Sequence, residues 1–159
     1  MTSLTLTNVK DFMSHLLLNT TFDHFIFVEG EITTFCTFRL DGFIQKDFFD
    51  TGAELPEYSS WKYLKDYCYS IIRGKRTPLG FRFVFGLSDG NIRRTIEQNS
   101  LNLRPEEVRG LYLNIRYDGK NLVCVTGTSF QTFNMDKTLE HVWDDMVKNF
   151  FRQKQIEFE

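Results

Sequence analysis

Arg73-Gly74-Lys75-Arg76-Thr77-Pro78 packs three cations around a glycine, and Arg82 follows on the polar side of the next apolar-alternating stretch. A guanidinium's planar fork matches phosphate or carboxylate through two parallel hydrogen bonds. Arg73, Lys75, Arg76 and Arg82 therefore read as an anion site, for a nucleotide or nucleic acid. The commoner role of such a cluster is structural. Cations in the last turn of a helix offset its dipole by up to ~1 kcal/mol, and the acidic N-terminal part of this chain offers internal partners.

Other reactive types are scattered. Glu29 and Glu31 project from one face of a strand, about 6 to 7 Å apart, a separation that suits an acid and a base. Nothing around them supplies the apolar pocket that lifts a carboxyl's pKa, so a solvated sheet face is the plainer reading. His15, His24 and His141 lie on separate elements without the i, i+2 or i, i+4 spacing that aims two imidazoles at one metal. Cys36, Cys68 and Cys124 have no C-x-x-C spacing and read as small core hydrophobes. Thr126-Gly127-Thr128-Ser129 is a candidate anion-cradling turn, although a Thr-rich strand end has the same sequence. Gly-rich nucleotide loops and the Gly-x-Ser-x-Gly elbow are absent, so neither metal nor cofactor is expected.

A second kind of chemistry is contact. The chain holds 17 Phe, 6 Tyr and 2 Trp, more rings than one core needs to hide. Phe48, Phe49, Tyr58, Tyr63 and Tyr67 exceed what one helix stripe and one loop can bury, and they mark a candidate partner interface. A thick, Phe-rich core is the alternative.

The elements that must position these residues are legible from periodicity. Val9, Phe12, Met13, Leu16 and Leu17 recur at helical spacing over 8–18, with Thr7 or Asn8 as N-cap. Residues 22–49, rich in Phe, Ile, Val and Thr, predict two or three antiparallel strands turning at Asp41-Gly42, with Gly30 bending or ending the first. A loop over 50–60 leads to a helix with Trp61, Leu64, Cys68, Ile71 and Ile72 on one face and Gly74 as its left-handed cap. Leu79, Phe81, Phe83, Phe85 and Leu87 alternate as a strand, and a helix is expected over 89–99. Pro105 opens a turn, and Asp118-Gly119 joins a second hairpin. A long helix closes the chain through Leu139, Val142, Trp143, Met146, Val147 and Phe150, with Asp136 as N-cap.

The order α-β-β-α thus occurs twice, with the Leu79–Leu87 strand at the join. It predicts an α+β fold: one antiparallel sheet with helices packed on one side, built from two α-β-β-α units related by a pseudo-twofold. At 159 residues, with 42% apolar and 25% charged residues, the chain is expected to form a single domain, 1–159.

Three unpaired cysteines and no apolar run of membrane-spanning length point to a cytoplasmic protein. A net charge of −2 is the wrong sign for coating nucleic acid, yet residues 73–116 alone carry +5. Gln45-Lys46-Asp47-Phe48-Phe49, Gly74-Lys75-Arg76-Thr77-Pro78, Tyr117-Asp118-Gly119-Lys120 and Thr126-Gly127-Thr128-Ser129 resemble stretches of a small family of unknown function from anaerobic Gram-positive bacteria. The resemblance spans nearly the whole chain and implies a cytoplasmic bacterial protein. It brings no activity and no site residues.

Surplus aromatics without catalytic motifs lead to the expectation of a non-catalytic protein-binding or regulatory module that engages another protein or a second copy of itself. The alternatives are recognition of an anionic ligand or nucleic acid through the arginines, and a small enzyme whose groups converge only in space.

Overall fold

The computed structural model describes residues 1–50, 52 and 54–159. The first strand, β1 (Ser3–Thr5), precedes α1 (Val9–Leu17), whose N-cap Asn8 accepts the Asp11 N–H. β2 (Ile26–Thr33) and β3 (Thr37–Asp41) form a hairpin, and a 3₁₀ turn at Lys46–Phe48 precedes α2 (Trp61–Ile72). Then come β4 (Gly80–Gly86), α3 (Asp89–Gln98), a 3₁₀ turn at Pro105–Glu107, β5 (Val108–Tyr117), β6 (Leu122–Phe130) and α4 (Thr138–Gln153). The six strands make one antiparallel sheet in the order β1-β6-β5-β4-β2-β3. The class is α+β, as the periodicities predict.

Successive side chains on a strand face opposite ways, so the register sorts the sheet into two faces. Leu4, Cys124, Ile115, Phe83, Gly30 and Leu40 stand in one row across all six strands. This inner face carries the core. Trp61 of α2 contacts Phe27, Phe83 and Phe85 and donates its Nε1–H to the Leu16 carbonyl at the end of α1. Phe151 of α4 meets Phe12 of α1 and Phe22, which touches Phe85 of the sheet. Three helices therefore share one greasy layer. The outer row Thr5, Val123, Arg116, Arg82, Glu31 and Arg39 is polar toward the β3 edge.

Several expectations need correction. Asp41-Gly42 is not a hairpin turn: β2 and β3 turn at Thr34-Phe35-Cys36, and Gly42 lies past the end of β3. There its backbone is pressed on Phe27, such that a Cβ at 42 would sit 1.8 Å from the Phe27 carbonyl oxygen. The glycine is there for close approach, not for a turn. Gly30 neither ends nor breaks its strand; it yields space to the Phe83 ring, 2.6 Å from an imagined Cβ, while the bulge lies earlier, between Phe27 and Glu29. Gly74 takes φ 149°, far from the left-handed cap expected. Lys137, not Asp136, is the N-cap of α4, although Asp136 accepts the Thr138 N–H from one position earlier. Leu79 is exposed rather than part of the apolar strand face. β1 carried no sequence signal, being three residues long and held by its neighbours. The loop expected over 50–60 includes Thr51 and Ala53, which lie outside the described residues.

Candidate functional site

The aromatic residues separate into two populations. Most are buried or half-buried, but Phe35, Phe43, Phe48 (83% exposed), Phe49, Tyr63 and Tyr67 (both 68%) reach solvent, as does Phe133 after β6. After β3 the chain pairs with the segment leading into α2, through the bridge of Phe43 with Tyr58 and the bond from Ile44 N–H to the Glu57 carbonyl. That detour carries Phe43, Phe48 and Phe49 onto a shelf beside Leu64 of α2, with a shallow cavity of about 350 Å³ among them. Phe48 and Phe49 stand perpendicular, ring centres 5.5 Å apart.

Tyr63 and Tyr67 lie exposed on α2, the helix whose Leu64 lines that shelf. Lys65 of α2 reaches toward the loop after α1, donating to the Asn19 carbonyl and to Asp23 at 2.7 Å. Residues two positions either side of it point to nearly the opposite side of the helix. Both tyrosines therefore turn away from α1. Phe35, 91% exposed at the tip of the β2–β3 hairpin, stands perpendicular to Phe38 and adds a further exposed ring. Tyr58 behaves differently: it is half-buried, edge-on to Phe43, and its other side lines a cleft.

The cleft, about 200 Å³, lies where the start of α3 crosses the outer face of the sheet, among Ile26, Val28, Tyr58, Ile92, Arg109 and Tyr112. Burial pushes the Tyr58 and Tyr112 phenols up, and the Glu57 carboxylate beside both adds to the rise. Each stays a neutral donor at ordinary pH, suited to hydrogen bonding and not to proton abstraction. The cations and carboxylates at its mouth, Arg109 against Glu57 and Asp89, balance in sign or lean acidic.

The predicted anion residues split. Arg73, Lys75 and Arg76 are exposed in the α2–β4 loop, with no ion pair among the described residues. Arg82 stands on the outer sheet face and reaches Glu29 at 3.4 Å. The fold brings this loop beside the Asp118–Asn121 turn: Thr77, Pro78 and Leu79 line one shallow depression with Gly119 and Lys120. Lys120 and Arg116, next to Arg82 across the ladder, thus join the basic end, and sequence reading missed both. Their signal was present in the Arg116–Lys120 hairpin but had no partner until the strands were ordered.

The remaining candidates recede. Glu31 accepts from Arg39 at 2.8 Å, and that hydrogen bond holds its carboxyl below the usual range, the reverse of what a general acid needs. Thr126-Gly127-Thr128-Ser129 is no turn; it is paired along β6 with Gly110–Leu113. Cys36, expected in a strand core, is exposed at the hairpin tip, whereas Cys68 and Cys124 are buried. His15 is half-buried, its Nδ1 hydrogen-bonded with the Thr21 hydroxyl at 2.7 Å. No group of three or more His, Cys, Asp or Glu side chains gathers among the described residues.

A protein-family model matches residues 15–159. The chain belongs to a family of unknown function, DUF5721. Neither the curated proteins nor the solved structures compared with it gave a match. Membership in DUF5721 supplies no catalytic or binding residue. No helix among the described residues is long and apolar enough to cross a membrane.

Proposed function

We propose that this DUF5721 protein is a non-catalytic binding module that docks a protein partner along its β3–α2 edge. The observation that carries the reading is that Phe43, Phe48 and Phe49 stand exposed around one shallow depression beside Leu64 of α2, with Tyr63 and Tyr67 exposed on the same helix and Phe35 exposed at the tip of the adjoining hairpin. Exposed aromatics at a patch centre are the side chains that dominate contact energies, because they bury large area at small entropic cost. The displaced carboxyls Glu31, Asp118, Asp136 and Glu140 are all shifted downward, which favours charged surface groups over proton donors. Unpaired cysteines support a reducing, cytoplasmic setting.

Serine substitution at Phe48, Phe49, Tyr63 and Tyr67 tests the reading. The fold should persist, because these residues leave the core intact, while association measured by sedimentation, or by capture of a partner retained by the wild type, should be lost. Unchanged association in the fully substituted variant removes the proposal.

A second reading is favoured by one observation, the meeting of the Thr77–Leu79 end of the basic loop with Asp118 and Lys120 in one depression, while Arg116 stands beside Arg82 across the ladder. There the protein would hold a polyanion. Retention of labelled RNA or DNA should then fall steeply with added salt and with Arg76→Glu. Absence of salt-sensitive retention at low ionic strength rejects it.

A further inference from the structure

The two edges of the sheet are finished differently. β1 is covered by the C-terminal residues: Thr5 and Glu159 exchange N–H···O bonds of 3.0 and 2.9 Å, and Leu6 bridges Phe158. β3 has no such cover, since among the described residues Thr37–Asp41 pairs with β2 alone. The Gly42 N–H bonds the Val28 carbonyl, and antiparallel ladders alternate. Leu40 and Phe38 therefore bond toward β2, and the N–H and C=O groups of Thr37, Arg39 and Asp41 point off the sheet. Such a row is a template for another strand, and no proline, lysine or bulge interrupts it.

We infer that β3 pairs antiparallel with β3 of a second copy of this chain, about a twofold axis through Leu40, joining two sheets into one. The inference rests on the docking reading of this edge and names its partner. Charge selects the register. An axis through Leu40 sets Arg39 opposite Asp41 of the second copy, twice over, whereas an axis through Arg39 or through Asp41 sets like charges face to face. Both groups have capacity to spare. Arg39 gives Nε to Glu31 and keeps its terminal nitrogens, and Asp41 takes the Phe43 N–H on one oxygen and keeps the other.

On the inner face the same axis brings Leu40 against Leu40 and lays Phe38 beside Gly42 of the second copy, where there is no side chain to meet. The antiparallel arrangement also brings the Thr34–Cys36 tip of each copy toward the Asp41 end of the other's β3. Phe35 at the hairpin tip thereby reaches the other copy's shelf of Phe43, Phe48 and Phe49, so the protruding ring and the shallow cavity of about 350 Å³ complement each other. A twofold interface requires this self-complementarity, each patch serving as its own partner.

The test is sedimentation equilibrium of the full chain with two charge reversals. The wild type should dimerise. Arg39→Asp and Asp41→Arg should each weaken the dimer by about tenfold or more, since two attractive pairs become repulsive. An equimolar mixture of the two variants should regain it as a heterodimer, a rescue that no loss of folding produces. Amides of Thr37, Arg39 and Asp41 should exchange slowly in the dimer and fast in either variant alone. A wild type that stays monomeric to its solubility limit overturns the pairing; if the serine variants above still lose a captured partner, the docking reading survives that result. A wild-type dimer indifferent to both charge reversals overturns the pairing as well.

Discussion

Gly42 shows how one residue's reason for being can differ from its sequence signature. An Asp-Gly pair flanked by strands resembles a hairpin turn, but Gly42 is needed because backbone of another strand occupies the Cβ position. Gly42→Ala should therefore cost about 3 kcal/mol, the upper range for overpacking against atoms that cannot rotate away, read as a lower urea midpoint. The thiols give a second residue-scale expectation. Cys36 is exposed and Cys68 and Cys124 are buried, with burial pushing the Cys68 thiol up to about 12 and Cys124 upward too. A maleimide should label one thiol in the native protein and all three after unfolding; fast labelling of more than one would contradict the burial. Acid acts through depressed carboxyls. Hydrogen bonds from Arg39 to Glu31, from the Asn121 and Lys120 amides to Asp118, and from Thr138 to Asp136 hold these pKa values down. A folded pKa below the unfolded one contributes stability above about pH 4 that is lost as pH falls through the depressed value. Urea midpoints should decline on acidification through that range, less steeply in Asp118→Asn.

At the scale of elements, α2 is the piece that ties the site to the core. Its Trp61 is fully buried against three phenylalanines and bonded to Leu16, so Trp61→Ala should cost about 3 to 5 kcal/mol. Its Lys65 forms a largely buried pair with Asp23, whose side chains are 12% and 9% exposed. Lys65→Met leaves that carboxylate without its cation and should cost about 3 kcal/mol, whereas pairing it with Asp23→Asn should restore much of the loss. Helical and strand repeats are local, which is why α1, α2, β4 and α4 were legible from residue spacing alone. The boundary errors have a common source. The Asp136 cap, the Gly74 cap and the 41–42 turn all rest on residue preference; at Gly42 the close approach of Phe27, distant in sequence, overrides it, whereas the two helix ends differ only in which local residue closes the turn. At Gly90, by contrast, an added Cβ meets nothing within 4 Å inside α3, so Gly90→Ala should stabilise by about 0.5 to 1 kcal/mol in thermal or urea unfolding.

For the whole molecule, one contiguous hydrophobic cluster links the sheet to all four helices. Calorimetry should accordingly show a single cooperative transition; two separately melting parts would contradict that continuity. The amino-acid sequence by itself determined the α+β class, most elements and the excess of aromatic residues, because period and composition are properties of neighbours along the chain. It also carried the family resemblance, although not any activity. Only tertiary structure decided which rings remain outside, that Lys120 lines one depression with Thr77–Leu79 while Arg116 stands beside Arg82, and that β3 is a bare edge while β1 is covered. Those outcomes depend on strand order and on which surfaces meet, and contacts between residues far apart in the chain leave no periodic trace in it.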